Sequence, residues 1–366
     1  MSVFSSAKSM GHEQIVFCHD SDSGLKAIIA IHDTTLGPAL GGTRLLPYAS
    51  EEEALYDVMR LSRGMTYKSA CAGLPLGGGK AVIIADPSQK SEAMFRAFGR
   101  FVDSLGGRYV TAEDMNTSVA NMDHVHLETR YVTGVSPAYG GSGDPSVMTA
   151  LGTYYGIVAS VKYRLKQPDL AGLNIAVQGV GSVGKHLCKM LHDKGAKLFV
   201  QDIDEKKLQE MRSLYNATII TEEELYRHDI DIYAPCARGA TLNNEHIKTL
   251  KAKIVAGCAN NQLEDEEKHS KMLKELKILY APDFVINAGG IINVAQELSG
   301  YNLEKVQLDV ARIASTLETI FIEADKNEIT TQAAANLYAE KRIKSVRQIK
   351  QLNTLNSSFL GKMRSK

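Results

Sequence analysis

Two lysines, Lys68 and Lys80, are separated by a stretch that contains Gly73, Pro75 and the glycines 77–79. Glycine and proline favour turns, so a loop of this composition can fold back and bring both amines to one cleft. An amine in a cleft can exchange protons with a substrate if it is partly shielded from water. The stretch therefore predicts the centre of an active site.

Glycines before a lysine are also the mark of a phosphate-binding P-loop. That motif requires serine or threonine after the lysine, but Ala81 follows Lys80, so a P-loop is excluded. The apolar run 81–85 predicts a buried strand with Lys80 at its mouth. Desolvation there favours the neutral amine and suits acid/base work, and a lysine at a solvated strand end is the alternative.

A second candidate group is the acidic pair Glu113 and Asp114. The run 108–112 predicts a short strand that delivers this pair at its end. Open α/β sheets place their chemistry at the carboxyl ends of strands. A solvated turn is the alternative explanation of Asp114.

The second half of the chain carries a dinucleotide-binding pattern in its full context. A strand over 173–178 is followed by the G-x-G-x-x-G turn 179–184, a helix over 185–194, and a strand over 197–200 that leads to Asp202. Strand, glycines, helix, second strand and terminal acid together are a strong signal. The residues predicted to bind the cofactor in this turn are Gly179, Val180, Gly181, Ser182, Val183 and Gly184.

Each glycine of the turn has its own task in this pattern. Gly179 makes the tight turn, Gly181 admits the pyrophosphate, and Gly184 lets the helix pack close to the sheet. Asp202 is expected to accept hydrogen bonds from the adenosine ribose. Because Asp202 and Asp204 would repel a 2′-phosphate, the sequence predicts NAD rather than NADP.

The hydrophobic pattern supplies the supporting elements. It predicts a hairpin of strands 14–18 and 25–32, a helix over 91–105 and a long helix from 146 to about 165. The stretch 139–145, Tyr-Gly-Gly-Ser-Gly-Asp-Pro, predicts a hinge between two domains. Further β/α alternation follows the dinucleotide pattern, and the chain beyond residue 302 is predicted to be largely helical.

Composition limits the classes of protein. The 366 residues suggest two domains, and 42 basic against 42 acidic side chains give no sign of a nucleic-acid or anionic-membrane partner. No apolar run approaches the roughly 18 residues that a membrane span requires. Five scattered cysteines without a C-x-x-C motif favour the reducing cytoplasm, and no residue is assigned to a metal.

Taken together, these motifs resemble the Glu/Leu/Phe/Val dehydrogenase family, and within it the enzymes that act on leucine. The similarity covers nearly the whole chain. It implies an α/β protein with a mixed-sheet domain for substrate binding and oligomerisation at 1–138, on which 330–366 packs back, and a Rossmann NAD-binding domain at 145–329. The stretches that carry it are 25–44, 64–68, 77–80, 111–114, 257–262 and 285–290.

The resemblance implies reversible oxidative deamination of an L-amino acid to a 2-oxo acid and ammonia, with hydride passing to the nicotinamide. It gives Lys80 the task of activating water and Asp114 that of moving a proton at the amino nitrogen. Lys68 would bind the substrate carboxylate. By the same resemblance, Met65, Gly41, Asn260 and Asn261 assist in substrate binding, while Thr149, Cys236 and Ala237 contact the cofactor.

Substrate choice would rest on Leu40, Ala112, Ile291 and Val294, which the resemblance places around the substrate side chain. All four are apolar, so a glutamate carboxylate would be buried unpaired and branched aliphatic side chains should fit. Valine is more usual at position 291. The extra methylene is worth about 1–3 kcal/mol, which can re-rank leucine, isoleucine and valine.

Two other functions are kept open. Phenylalanine or tryptophan dehydrogenase is the alternative within the family. Gly42 and 112–113 are where differences from the tryptophan enzymes would fall, and 140–145 has the leucine-like form. A silent NAD-responsive binding protein is the alternative outside it, although such a protein would not need two lysines and Asp114 together. The resemblance further implies a homo-oligomer, often an octamer, and closure of the two domains.

Overall fold

A computed structural model describes residues 3–363, with side chains for residues 3–349. The chain divides into two compact units. The first contains the chain up to Gly143, the segment Glu297–Tyr301 and the chain from Leu337 onward. The second contains Asp144–Gln296 and Asn302–Asn336.

The first unit is built on a mixed sheet, which confirms the predicted fold class. Strands β1, β2 and β5 pair antiparallel, and β3, β4 and β6 are joined to them by parallel pairing, in the order β1-β2-β5-β3-β6 with β4 also on β5. Its elements are α1 (Val3–Met10), β1 (Gln14–Asp20), β2 (Leu25–Asp33), β3 (Ala39–Leu40), β4 (Thr43–Leu46), α2 (Glu51–Cys71), β5 (Gly77–Ile84), α3 (Glu92–Ser104), β6 (Tyr109–Val110) and α4 (Val119–His126).

Helices cover both faces of this sheet, because its central strands are apolar on both sides. On one face, Ile29 and Ile83 pack with Phe95 and Phe98 of α3. On the other, Ile28, Ala30 and Val82 pack with Ala54, Val58 and Met59 of α2. Side chains alternate along a strand, so Lys80, two residues from Val82, points to the α2 face.

Glycines 77–79 are part of strand β5, and the prediction that they form a loop with Lys80 at a strand mouth was wrong. A Cβ on Gly78 would lie 2.1 Å from the backbone nitrogen of Thr66, and one on Gly79 would lie 2.7 Å from the Tyr109 ring. The glycines therefore allow α2 and Tyr109 to approach the sheet. Lys80 lies in the middle of β5 and is only 4% exposed.

The end of the chain returns to the first unit. Helix α14 (Thr331–Met363) has its first residues in the second unit and its remainder in the first. The Arg342 guanidinium donates to the carbonyls of Ser69, Ala70 and Leu74, at 3.2, 2.9 and 2.8 Å. The Ser69 and Ala70 carbonyls lie in the last turn of α2 and also accept from the Leu74 and Gly73 N–H groups, and Leu74 lies just beyond the helix.

The second unit has the strand order of a Rossmann fold. All six strands are parallel, in the order β12-β11-β10-β7-β8-β9. Its elements are α5 (Ser146–Leu165), β7 (Asn174–Gln178), α6 (Ser182–His192), β8 (Lys197–Gln201), α7 (Glu205–Tyr215), β9 (Thr218–Ile219), α8 (Glu222–Arg227), β10 (Ile232–Pro235), α9 (Asn244–Thr249), β11 (Ile254–Val255), α10 (Glu266–Glu275), β12 (Leu279–Tyr280), α11 (Asp283–Ile286), α12 (Gly289–Ala295) and α13 (Leu303–Lys326).

From β7 the strand order proceeds to one side of the sheet through β8 and β9 and to the other side through β10, β11 and β12. Such a switch in strand order creates a crevice at the carboxyl ends of β7 and β10. The Gly179–Gly184 turn follows β7, and Cys236 follows β10. Along the described chain, the membrane-span criteria of length and apolarity are met by none of the helices.

The close contact of Gly78 with α2 gives a stability prediction. Gly78→Ala should lower the free energy of unfolding by about 1–3 kcal/mol, because its methyl group would overlap the Thr66 backbone. Gly64→Ala is the matched control. Gly64 lies in α2 with open space around its Cβ position, so this change should stabilise the helix by up to about 1 kcal/mol. Thermal unfolding midpoints measure both, and an unchanged midpoint in Gly78→Ala would contradict the packing.

Candidate active site

Lys80 and Asp114 form an ion pair inside the first unit. The Lys80 Nζ donates to Oδ2 of Asp114, and the lysine side chain is only 5% exposed. Asp114 follows β6 on the loop that pairs with β4 through the bridge between Thr43 and Glu113. The strand and the loop thus bring together two residues that are far apart in sequence.

Arg44 is the second cation on Asp114, and it was not among the residues predicted from sequence. Its Nε donates to Asp114 Oδ1 at 3.1 Å, and its Nη1 donates to Asp57 Oδ2 at 3.1 Å. Tyr48 and Arg60 also donate to Asp57, at 2.7 and 3.0 Å. Arg44 is the last residue of the stretch 25–44 that carries the family resemblance, and this membership was the one signal that could have identified it. Nothing in the sequence indicated that Asp114 is its partner.

These contacts keep Asp114 ionised. Burial alone would raise its pKa, but the charges of Lys80 and Arg44 outweigh that effect and hold the pKa well below its usual range. The backbone N–H of Met115 contributes in the same direction by donating to Oδ1 at 2.6 Å. A carboxylate held between two cations is a weak base, and displacing one of them would raise its pKa.

A buried hydroxyl network supports the floor of the site. Tyr109 donates its hydroxyl to the Gly41 carbonyl at 2.6 Å, and the Thr43 and Thr111 hydroxyls lie 2.6 Å apart. Burial raises the pKa of Tyr109, which keeps its phenol protonated as a donor. A Cβ on Gly41 would lie 1.7 Å from the Gly79 carbonyl oxygen. Only glycine fits at position 41, where β3 ends against β5.

Lys68 and Met65 lie on helix α2, and both are half-buried. Lys68 lies about three helical turns, or about 16 Å, after Asp57 in α2, so the two side chains project from the same side of the helix. On that side Arg44 contacts the Asp57 carboxylate. Of the residues predicted for the first unit, Lys80 and Asp114 are in contact, and Lys68 and Met65 lie on α2 on either side of Thr66, which packs against Gly78 of β5.

The glycine-rich turn of the second unit fits a dinucleotide pyrophosphate. Gly179 has a φ of 94°, which glycine adopts without strain, and a Cβ on Gly184 would lie 2.0 Å from the Gly179 carbonyl oxygen. Around Gly181 nothing lies within 4 Å of a Cβ position, so the backbone there is open to a ligand. Helix α6 begins at Ser182, earlier than predicted, and its first turn holds no acidic side chain. Its N-terminal N–H groups can receive an anion.

Asp202 braces this turn. One of its carboxylate oxygens accepts from the Val180 N–H at 2.8 Å, and the other accepts from the Asp204 N–H at 3.0 Å. A carboxylate has room for further hydrogen bonds, so Asp202 retains acceptor capacity for ribose hydroxyls. Ala237 also packs against the turn, since a Cβ added to Gly179 would lie 2.8 Å from the Ala237 nitrogen. Cys236 donates its N–H to the Gln178 carbonyl at 2.7 Å.

The loop after β11 carries Asn260 and Asn261. Asn261 has a φ of 51°, a strained conformation that asparagine tolerates better than most residues. The Asn287 side chain donates to Asn260 Oδ1 at 2.7 Å and to the Cys258 carbonyl at 3.1 Å. Asn287, which belongs to the stretch 285–290 that carries the family resemblance, thus fixes the orientation of Asn260.

The remaining predicted residues belong to both units. Thr149 lies in the first turn of α5, where its hydroxyl donates to the Pro145 carbonyl at 3.1 Å. Leu40 and Ala112 are buried in the first unit, and Ile291 and Val294 are buried in the second. Within residues 3–363, no three His, Cys, Asp or Glu side chains form a group that could hold a metal ion.

Comparisons with known proteins agree with this architecture. Residues 12–131 match the dimerisation domain of Glu/Leu/Phe/Val dehydrogenases, and residues 140–204 and 199–355 match the Glutamate/Leucine/Phenylalanine/Valine dehydrogenase domain. The leucine dehydrogenase of Geobacillus stearothermophilus is 52% identical over 349 residues, which are 95% of this chain and 95% of that enzyme.

An enzyme with an aromatic substrate is almost equally similar. The L-tryptophan dehydrogenase of Nostoc punctiforme is 51% identical over 350 residues, which are 96% of this chain and 98% of that enzyme. A crystal structure of L-tryptophan dehydrogenase from Nostoc punctiforme superposes with a TM-score of 0.85 at 50% identity, covering 95% of this chain and 100% of that one. Overall identity therefore does not separate an aliphatic from an aromatic substrate.

The charge cluster around Asp114 gives a pH prediction. Because the folded pKa of Asp114 lies below the unfolded value of about 3.9, its contribution to stability is complete above that pH and is lost as the pH falls toward the folded pKa. Arg44→Met should therefore cost about 1–3 kcal/mol near neutral pH and less in acid.

Thermal unfolding followed from neutral to acidic pH measures this difference. Arg60→Met is the control, since Arg60 bonds Asp57 on the exposed side of the cluster. Its effect should be smaller at neutral pH. Equal effects of both changes at every pH would contradict the assigned role of Arg44.

Proposed function

The chain belongs to the Glu/Leu/Phe/Val dehydrogenase family and is an amino-acid dehydrogenase, and we propose that it oxidatively deaminates branched-chain aliphatic L-amino acids with NAD. The products are a 2-oxo acid, ammonia and NADH. The observation that carries the proposal is the buried pair of Lys80 and Asp114, which supplies an amine and a carboxylate at one point.

NAD is the proposed cofactor. The open backbone at Gly181 and the N-terminus of α6 would hold the pyrophosphate, and Asp202 would hold the ribose hydroxyls. A 2′-phosphate would meet the carboxylates of Asp202 and Asp204 and be repelled. When bound, the nicotinamide accepts the hydride that leaves the substrate Cα. Thr149, Cys236 and Ala237 are proposed as further contacts of the cofactor in this unit.

Lys68 is proposed to bind the substrate carboxylate, because a fixed ammonium group on a helix is a suitable partner for an anion. The backbone at Gly41 and the amides of Asn260 and Asn261 would assist it. Asn260 is suited to this task because Asn287 holds its side chain in one orientation. Binding the carboxylate in this way leaves the amino group free to meet Asp114.

The proton steps are assigned to Asp114 and Lys80. Asp114 takes a proton from the substrate ammonium group, which frees the lone pair that drives hydride loss from Cα and gives an iminium ion. Lys80 gives up its proton to solvent when the substrate ammonium replaces it beside Asp114, and it then takes a proton from water as the water attacks the iminium carbon. Asp114 returns its proton to the amino nitrogen, and ammonia leaves as the hydroxyl of the carbinolamine passes its proton to the Asp114 carboxylate. Positioned acid/base groups of this kind are worth roughly a factor of 10²–10⁴ in rate.

Specificity for aliphatic side chains is proposed from Leu40, Ala112, Ile291 and Val294. All four are apolar, so a glutamate γ-carboxylate among them would lack a cation. Ile291 takes up more space than valine would. We propose that it tunes the ranking of leucine, isoleucine and valine without changing the class of substrate.

A homo-oligomer is also proposed, because the matched N-terminal domain is a dimerisation domain. Strand β1 forms one edge of the first sheet and carries Phe17, whose side chain is 57% exposed. An edge strand with an exposed aromatic residue is suited to pairing with another subunit. None of the five described cysteines forms a disulfide, in keeping with the proposed cytoplasmic location.

The substrate proposal is tested by NADH formation with a panel of L-amino acids. Leucine, valine and isoleucine should be turned over, glutamate should not, and phenylalanine and tryptophan should give much lower kcat/KM. Replacing NAD with NADP should lower the rate strongly. Best turnover with an aromatic substrate would overturn the specificity assigned to the four apolar residues and leave the proton steps intact.

The proton steps are tested by Lys80→Ala and Asp114→Asn. Both changes should lower kcat by about 10²–10⁴ while NADH still binds, because the second unit holds the dinucleotide. Lys26→Ala is the control, since this exposed lysine contacts only the surface residue Glu51 among acidic side chains. A cellular role that survives Lys80→Ala would favour a silent NAD-responsive binding protein.

A further inference from the structure

Two cysteines of the second unit follow neighbouring strands. Cys236 comes directly after β10, and Cys258 comes shortly after β11. The two strands pair in parallel with Tyr233 opposite Val255, and the two segments remain paired beyond the strand ends, because Ala259 donates its N–H to the Pro235 carbonyl at 2.9 Å. Adjacent strands lie about 4.8 Å apart. This spacing falls within the roughly 4.4–6.8 Å between Cα atoms that a disulfide can span.

The two thiols are already in contact. Cys258 directs both its thiol and its backbone N–H to the Cys236 sulfur, and these hydrogen bonds lower the pKa of Cys236. Burial instead raises the pKa of Cys18 and Cys71 to about 12, and it also raises that of Cys188. Cys236 is half-buried, whereas the other four cysteines are buried. It is the thiol that a small oxidant can reach, and its lowered pKa favours the thiolate more than in the other cysteines.

We propose that Cys236 and Cys258 are a modification site, a thiol pair that a peroxide oxidises to a disulfide, and that this oxidation weakens dinucleotide binding. The Cys236 thiolate attacks one peroxide oxygen, the O–O bond breaks, and hydroxide leaves. The resulting sulfenic acid is attacked by the Cys258 sulfur, so that the S–O bond breaks and water leaves. Two thiols lose two electrons and two protons, and the peroxide is reduced to two water molecules.

The effect on the dinucleotide follows from what Cys236 packs against, and this part rests on the proposed function. A Cβ added to Gly184 would lie 3.8 Å from the Cβ of Cys236, and the next residue, Ala237, lies against Gly179. These glycines belong to the turn proposed to hold the pyrophosphate. Shortening a contact between thiols to a bond of about 2.05 Å moves the Cys236 peptide, and the turn against it must move as well.

The test treats the full-length protein with hydrogen peroxide and counts free thiols. Two of the five cysteines should be lost, and a non-reducing peptide map should show Cys236 linked to Cys258. The Kd for NADH, measured by fluorescence titration, should rise about fivefold or more and return to its starting value with dithiothreitol.

Cys258→Ser is the decisive variant, since serine preserves a donor near Cys236 but cannot form the bond. It should bind NADH as the reduced protein does and keep that Kd after brief peroxide treatment. Cys18→Ser, changed in the first unit, should still show the full peroxide effect. If Cys258→Ser loses affinity as the wild type does, the disulfide is not the cause and the proposal is overturned.

The thiol measurement is independent of catalysis, so the two proposals can fail separately. A map showing Cys188 linked to Cys236, or Cys236 carried to sulfinic acid with Cys258 unchanged, would overturn the pair. An unchanged Kd in protein shown to carry the linkage would overturn its effect on the dinucleotide. A reduced protein that binds no NADH would instead refute the proposed cofactor.

Discussion

The first unit must keep a charged amine inside its sheet. Lys80 lies in mid-strand and is almost fully buried, and an unpaired ammonium there would cost several kcal/mol. Asp114 neutralises it, but Asp114 also contacts Arg44, which in turn requires Asp57. The charges of Lys80 and Arg44 are thus neutralised by Asp114 and Asp57 over β4, β5, α2 and the loop after β6. The packing of these elements and the chemistry of the site depend on the same four side chains.

The second unit handles charge in a different way. Around the glycine-rich turn it offers backbone N–H groups at the start of α6, and the Asp202 carboxylate accepts from the Val180 amide. Backbone amides do not titrate, so the affinity of an anion bound to them would not depend on a lysine's protonation. In the function proposed above, titratable side chains thus move protons and fixed backbone dipoles bind the phosphates.

Motifs with a regular spacing were predictable from sequence. The βαβ unit and the hairpin were confirmed, because hydrophobic period and turn residues fix them locally. The mixed-sheet fold class was confirmed as well, but it came from the family resemblance. The position of Lys80 was not, since the glycines before it were taken for a loop. Gly78 and Gly79 are strand residues that pack closely against α2 and Tyr109. These contacts join parts of the chain that are distant in sequence, so no local pattern predicts them. Arg44 escaped prediction for the same reason, as its partner Asp114 is brought to it by the tertiary fold.

Helix α14 has a consequence for how the chain folds. Arg342 satisfies carbonyls at the end of α2 that were synthesised some 270 residues earlier. The first unit therefore contains both an early and a late part of the chain, and its contacts with Arg342 can form only after residue 342 has been synthesised. The second unit lies almost wholly between these parts in sequence. Completion of the first unit thus depends on contacts of very high sequence separation, which slow folding.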